Sequence, residues 1–363
     1  MSIVYRALKT VIGFYVNIRD RITPGWSQKN SSRVREWELM AYAFSRSKIG
    51  VLGGSMVFIT VILAIIGPII SWEPYWVYKT ITDPNFMYLS PCLPPGCSAK
   101  PILGTDEWGR DIVAMSLYGF RISFVISVVV VFFGSIIGIV LGLVSGYKGG
   151  VIDEIIMRLT DIFMAFPGLI LAIAFAAVLP SRIRGFLGEN IWLKNILSAT
   201  FGLRPQEYPQ LAALLSVWIA MVVVWWPGYT RVIRGTVLSV REQPFIEAAK
   251  LCGLSTWRIL VKHILPNVLS PVIVMVTFDM ATATLFAASL SFLGLGPQEP
   301  VPELGYMISK AGRYFPERSL HVVSYLGFIL LFIALGWNLL GDALRDVLDP
   351  RTRRALEFRE EKV

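Results

Sequence analysis

The side chains that could do covalent, metal or proton chemistry are few in this sequence. His263 and His321 are the only histidines in 363 residues, and Cys92, Cys97 and Cys252 are the only cysteines. No H-E-x-x-H helix and no G-x-S-x-G elbow is present, so a zinc-held water and an activated serine both lack their residues. No G-x-x-x-x-G-K-[ST] loop is present to cradle a phosphate. Serines occur in the apolar stretches, but no histidine lies beside them to act as base. This inventory is that of a non-enzyme with no catalytic residue, no metal site and no cofactor of its own. The remaining notable residues are two acids in apolar surroundings, Asp161 and Asp279, two Pro-Gly pairs, Pro167–Gly168 and Pro227–Gly228, and four evenly spaced glycines. With them stands one polar stretch, EAAKLCGLSTWRILVKHILPN, at Glu247–Asn267.

The elements that must carry these residues are set by hydropathy. The chain is 55% hydrophobic and only 16% charged, with a mean hydropathy of +0.60, whereas soluble domains are about 25% charged. Crossing a bilayer takes roughly 20 apolar residues in a helix. Four runs, 49–71, 122–147, 209–230 and 319–341, contain no Asp, Glu, Lys or Arg. Two more carry one acid each, 160–180 with Asp161 and 267–296 with Asp279. The expected fold is therefore all-α, a polytopic membrane protein of about six transmembrane helices. A membrane domain over 49–341 lies between a tail at 1–48 and a second tail at 342–363, with an outer loop at 72–121 and an inner loop at 231–266.

Basic residues orient such a chain, because positive charge is retained on the cytoplasmic side. With the amino terminus inside, the cytoplasmic segments hold 23 of the 34 Lys and Arg and the outer segments 11. Both termini are thus expected in the cytoplasm of a multi-pass cell-membrane protein, with His263 inside and His321 outside, too far apart to share a metal. The net charge of +9 is a topology signal, and no aromatic-interleaved basic groove for nucleic acid is seen. In the first tail Val4, Leu8, Ile12 and Tyr15 recur at helical spacing beside Arg6 and Lys9, which fits either a helix on the inner membrane face or a loosely ordered tail. Cys92 and Cys97 share the outer loop and are either a small disulfide or free thiols. Cys252 is a small inner residue.

Several local expectations follow. Thr105 or Asp106 is placed to cap a helix leading into the second span, and the Asp106–Asp111 charges read as a solvated network. Gly134, Gly138, Gly142 and Gly146 form a ridge on one face of the second span, suited to close helix packing; glycines that merely tolerate lipid are the alternative. Arg158 and Asp161 are neighbours on a helix face and can pair. Pro167 and Pro227 should kink the third and fourth spans, as in helices that line a transport pathway or in ordinary kinked spans. Asp279 either touches a translocated solute or hydrogen-bonds a neighbouring helix. The polar stretch reads as two short helices: one begins at Pro244, Gly253 ends it, and Ser255 or Thr256 caps the next, which Pro266 stops.

The stretch resembles the E-A-A-x-x-x-G…I-L-P loop of prokaryotic ABC importer permeases, through Glu247, Ala248, Ala249, Gly253, Ile264, Leu265 and Pro266. Other segments, including LGTDEWGRDIVAMSLYGFRISF, RGTVLSVREQPFIEAAK, ASLSFLGLG and GDALRDVLDPRTR, resemble the second permease of dipeptide and oligopeptide importers. The resemblance implies a type I importer permease fold, a sister permease, two cytoplasmic ATPase subunits and an external solute-binding protein. It implies that the loop docks on an ATPase, that ATP and Mg²⁺ are bound by the partner subunits, and that this chain transmits energy without hydrolysing ATP. The cargo would be a peptide or a similar solute such as an oligosaccharide or a nickel complex. Ala287 departs from the family pattern, which often has an acid there, and Asp279 has no clear counterpart. An ion-coupled secondary transporter working through Asp161 or Asp279, and a membrane scaffold, are the alternatives to this reading.

Overall fold

The computed structural model describes residues 3–77, 103–201, 203–313 and 319–348. Cys92 and Cys97 lie outside them, as does the tail beyond residue 348. Among the described residues the regular structure is helical, apart from one antiparallel bridge between Thr105 and Asp111. In chain order the helices are α1 (Ile3–Ile22), α2 (Trp26–Lys29), α3 (Ser31–Arg46), α4 (Lys48–Ile70), α5 (Ile112–Lys148), α6 (Gly150–Ala165) and α7 (Gly168–Glu189). They continue as α8 (Ile191–Phe201), α9 (Tyr208–Arg241), α10 (Pro244–Leu251), α11 (Thr256–Ile259), α12 (Leu265–Phe292), α13 (Leu304–Gly312) and α14 (Leu320–Leu348). Six are long and apolar enough to cross a membrane: α4, α5, α7, α9, the continuous α11–α12 and α14.

α5 stands at the centre, against α4, α9 and α12; α14 fills the space between α4 and α12, and α7 covers the far side of α9. Lipid supplies no hydrophobic drive between helices, so contact has to come from close van der Waals fit at small residues. That is the pattern observed. A Cβ at Gly53 of α4 would stand 2.6 Å from the Leu340 backbone nitrogen of α14, and one at Gly336 of α14 would stand 2.9 Å from the Met56 Cβ of α4. Large apolar side chains face outward instead: Phe58, Ile65, Ile69, Phe132 and Phe328 are each more than half exposed, a surface suited to acyl chains rather than water.

The helix ends depart from the apolar runs. α5 has 37 residues, about 55 Å of helix at 1.5 Å per residue, well beyond the roughly 30 Å of a bilayer core. It starts ten residues before the apolar run, and its cap is Asp111, whose carboxylate accepts from the Val113 N–H at 2.9 Å. Neither Thr105 nor Asp106 caps it: Asp106 instead closes the preceding turn, accepting from the Trp108 and Arg110 N–H groups at 2.9 Å each. The third span is broken rather than kinked. α6 ends at Ala165, Phe166 is extended, and α7 begins at Gly168, because proline removes a helix donor and pushes the preceding residue out of helical dihedrals. At Pro227, by contrast, α9 runs on unbroken. α14 likewise continues past Gly341 to Leu348.

The outer charges are buried, not solvated. Arg110 is 3% exposed and Asp106 6%. The Arg110 guanidinium donates to Asp106 at 2.7 Å, to the Tyr75 carbonyl at 2.9 Å and to the Pro300 carbonyl at 3.0 Å. One planar fork thereby ties three segments together, and each of its bonds offsets part of the cost of taking the charge out of water.

Candidate functional site

The polar stretch hangs from the end of α9, which runs 11 residues beyond the apolar run that closes at Thr230. Gln243 is extended (φ −76°, ψ 142°), and Pro244 starts α10 where the helix needs no donor. α10 ends in a Schellman turn: the Leu254 N–H donates to the Ala249 carbonyl at 3.2 Å and the Gly253 N–H to the Lys250 carbonyl at 2.9 Å. Such a turn needs a left-handed residue, and Gly253 supplies it at φ +73°. None of the other described residues lies within 4 Å of a Cβ built there, so among them the requirement is dihedral rather than steric.

Beyond the turn, α11 and α12 form one rod. Ser255 stands at the cap position without a side-chain bond, and Leu260–Ile264 form a π turn that leads into α12. Pro266 therefore does not stop the helix. Its missing N–H and its ring would clash with a regular ladder, and the wider turn just before it removes that conflict.

The loop is fixed to the bundle by one apolar cluster. Ile246 and Ala249 of α10, Ile259 and Ile264 of the rod, Val268 and Val272 of α12, and Tyr229, Ile233 and Val237 of α9 are buried together. Leu254 packs on its edge. The opposite face is open: Glu247 and Ala248 are exposed, Leu251 is 89% exposed and Trp257 75%. Of the family-like residues, Ala249 and Ile264 are thus inward anchors, Leu265 is half-buried, Pro266 is exposed, and Glu247 and Ala248 face out. A polar helix tip with two large bare apolar side chains is a surface built to be covered by protein. Leu251 and Trp257 carry that signal: Leu251 has no mark in the sequence, and Trp257, whose spacing puts it on one helix face with Leu260, Val261 and Ile264, turns outward while Ile264 is buried, since their direction depends on where the turn at Gly253 sends the chain.

The glycine ridge connects this unit to the bundle. A Cβ at Gly134 would stand 2.9 Å from the Trp225 Cβ, at Gly142 2.8 Å from the Ile233 Cβ, and at Gly146 2.7 Å from the Val237 Cβ; Gly138 meets Tyr229 more closely still. All four therefore face α9, three of them opposite residues that also anchor the loop.

Higher up, two turns of α9 gather the remaining candidates. Gly168, after the Pro167 break, approaches Val224. Phe163 meets Trp226 edge to face at 5.5 Å, and Pro227 is buried. On the other flank Asp279 of α12 lies between the Tyr229 hydroxyl and the Trp225 indole, while Trp225 packs edge-on against Phe286 at 5.3 Å. Pro167, Pro227 and Asp279 thus share one level of the bundle.

Asp161 does not pair with Arg158. It pairs with Arg231 of α9, and Arg158 reaches Glu154 one turn back at 3.5 Å. The reason is the direction of α6, which lies against α9 and turns Arg158 to solvent. Both partners of the Asp161–Arg231 pair are about half exposed, an unsuitable setting for an acid that carries an ion through apolar surroundings. A second clasp joins the same helices: Arg234 donates twice to Asp153, at 2.6 Å each, and Ser145 of α5 also donates to Asp153. Arg234 holds the Asp153 carboxyl below the usual carboxylate range, against the opposing effect of burial.

On the outer side Glu303 caps α13, accepting from the Tyr306 N–H at 2.8 Å, and is fully buried. Burial pushes its carboxyl up to about 7. Lys310 reaches both Glu107 at 3.5 Å and Glu299 at 3.4 Å. Burial and then the neighbouring Glu299 push Glu107 up to about 7.

Comparison with known proteins bears on the whole chain. The model of the family described as "binding-protein-dependent transport system inner membrane component" matches residues 138–354. The chain is similar to the dipeptide transport system permease protein DppC of Alkalihalophilus pseudofirmus, at 36% identity over 88% of this chain and 91% of that protein. It is similar to the glutathione transport system permease protein GsiD of Escherichia coli O157:H7, at 35% identity over 87% and 91%. It is also similar to the di/tripeptide transport system permease protein DppC of Pseudomonas aeruginosa, at 34% over 86% and 91%. Among solved structures, a chain of the inward-facing MetNI methionine ABC transporter is similar at a TM-score of 0.42 and 19% identity, over 66% of this chain and 94% of that one.

Proposed function

The chain belongs to the family of binding-protein-dependent transport system inner membrane components, and from that premise we propose that α10 is the element through which partner ATPases drive it. The protein is a multi-pass membrane permease of an ABC importer and not itself an enzyme. In the proposed assembly two cytoplasmic ATPase subunits bind ATP and Mg²⁺, a sister permease completes the pathway and an external solute-binding protein delivers cargo. Both termini face the cytoplasm, which the excess of basic residues on that side supports. The cargo is a peptide or peptide-like solute, as the names of the dipeptide, di/tripeptide and glutathione relatives suggest.

The single observation that carries this reading is the two-faced α10. Ile246 and Ala249 are locked into the α9–α12 cluster, while Glu247, Ala248 and Leu251 face out from the end of a helix that projects past the apolar run. A push on the outward face is passed to α9, then through the glycine ridge to α5, and through the α11–α12 rod to the level of Asp279. An apolar crevice of about 390 Å³ along α12, lined by Leu285, Ser289, Phe292 and Leu169, is the side we assign to the sister permease.

The test is a pair of substitutions at one site. Gly253→Asn keeps a residue that tolerates left-handed dihedrals, whereas Gly253→Val costs roughly 1–2 kcal/mol there and splays the end of α10. In cells carrying the complete transporter, the Asn variant is expected to keep most solute uptake and the Val variant to lose it, with both chains present in the membrane. Normal uptake by Gly253→Val together with Leu251→Asp would refute the docking role.

A further inference from the structure

The amino-terminal helices carry an apolar face that the other described residues do not cover. α1 folds back along α3: Tyr5 packs on Tyr42 at 5.7 Å, Tyr15 on Trp37 at 5.6 Å, and Lys9 lies 3.6 Å from Glu38. Of the residues expected to form its apolar side, Val4, Leu8 and Ile12 are half-buried in this hairpin, while Tyr15 packs at its edge and stays exposed. A second stripe remains. Val11, Phe14, Ile18 and Ile22 are spaced three, four and four residues apart, hence on one face, and are 66%, 66%, 41% and 70% exposed. Arg19 and Arg21 flank that face on its two sides. The third side of the helix, with Arg6, Gly13 and Asn17, is polar and exposed.

Two observations say what covers the stripe. The hairpin is joined to the first span by a single residue, Ser47, and Phe44 of α3 packs back on Gly50 and Gly54 of α4, at 3.2 Å from where their Cβ atoms would be. α3 is therefore held at the level where α4 enters the membrane. Charge supplies the second: residues 3–48 hold nine Lys and Arg against three acids. The Trp26–Trp37 stack, at 6.3 Å, adds the amphipathic rings that favour the headgroup layer.

We propose that α1 lies in the surface of the leaflet on its own side of the membrane, with Val11, Phe14, Ile18 and Ile22 among the acyl chains and its arginines paired with the phosphates of anionic lipids. The helix then anchors the permease laterally and makes that end of the bundle sensitive to lipid charge. This goes beyond transport and holds whichever way the chain is oriented.

The test uses the full chain with its cysteines replaced by serine, in nanodiscs of phosphatidylcholine alone or mixed equally with phosphatidylglycerol. Single spin labels are placed at positions 13, 14, 17 and 18. In the anionic discs the ratio of oxygen to nickel-chelate accessibility is expected to be about threefold higher at 14 and 18 than at 13 and 17, as for a helix half-sunk in the interface. Equal, water-like values at all four positions overturn the proposal. Labels at 14 and 18 shielded from both reagents also overturn it, by showing a protein or second copy on the face. The charge arm uses Arg21→Gln, an exposed side chain at the edge of the stripe whose loss leaves the hairpin contacts in place. That variant is expected to lose affinity for the anionic surface, about fivefold per arginine, so the ratio at 14 falls in anionic discs and stays unchanged in neutral ones. A ratio at 14 that is the same in both lipids for the parent chain removes the anionic lipid from the proposal.

Discussion

Glu303 is a carboxyl with almost no water around it, held by a backbone N–H at 2.8 Å and set beside the Ser291 and Ser123 hydroxyls. Burial raises its titration from 4.5 to about 7, so the folded chain keeps a proton that the unfolded chain releases. Stability from this group is complete below the unfolded value and is lost as pH rises through that window, levelling off above 7. Between pH 6 and 8 the loss is about 1 kcal/mol. Glu107, raised to about 7 beside Glu299, acts in the same direction. Thermal unfolding of the purified chain in detergent is thus expected at lower temperature at pH 8 than at pH 6. Glu303→Gln, which keeps an oxygen for the Tyr306 N–H, should be more stable than the parent at pH 8 and no better at pH 5. An unchanged pH slope would show that the carboxyl is ionised throughout.

At the scale of helices, the α5–α9 seam is packed closely enough for a single methyl group to matter. Gly138→Ala inserts a Cβ where the Tyr229 side chain and the Trp226 carbonyl already stand, and overpacking of this kind costs typically 1–3 kcal/mol. Gly235→Ala on α9 meets nothing within 4 Å and should leave stability unchanged or raise it by up to about 1 kcal/mol. Detergent melting curves of the two variants separate them; equal behaviour would mean that the seam is looser than its geometry implies. The six long helices were legible in the sequence because lipid demands uninterrupted apolar runs. So was the ridge, because a four-residue glycine repeat fixes one helix face. Helix ends were not legible. Residues 112–121 and 231–241 continue their helices beyond the apolar runs, where polar side chains give no hydropathy signal. The break at Pro167 and the continuity at Pro227 and Pro266 were equally hidden, since one dipeptide either breaks or bends a helix according to the packing around it. For the candidate site, Gly253 announced its turn, but the outward direction of Leu251 and Trp257 and the pairing of Asp161 with Arg231 arise from tertiary placement alone.

Across the whole molecule, two charge clasps join α6 to α9, Asp153 with Arg234 and Asp161 with Arg231. Both lie on the part of α9 between Pro227 and the α10 turn. α6 is therefore tied to the loop-bearing half of α9. Breaking the inner clasp with Asp153→Asn should leave the chain folded, since Arg234 stays partly solvated, but lower uptake at unchanged membrane abundance. The exchange Asp153→Arg with Arg234→Asp should recover a measurable part of it. If the exchange is no better than the single variant, the pair has no joint role and each residue acts alone.

The length of α9 has a mechanical consequence. From buried Pro227 to Arg241 the helix runs 14 residues, about 21 Å of rigid arm at 1.5 Å per residue. Proline leaves one rung of the backbone ladder unmade at the arm's base. A swing of about 10° at that rung moves the tip by about 4 Å, given the 1.5 Å rise, while the residues around Asp279 move by a fraction of that. Geared this way, a push on the loop would trade a long stroke there for a short, forceful shift at mid-depth. Lengthening or shortening the arm by one full turn would alter the gearing and keep every contact face in register.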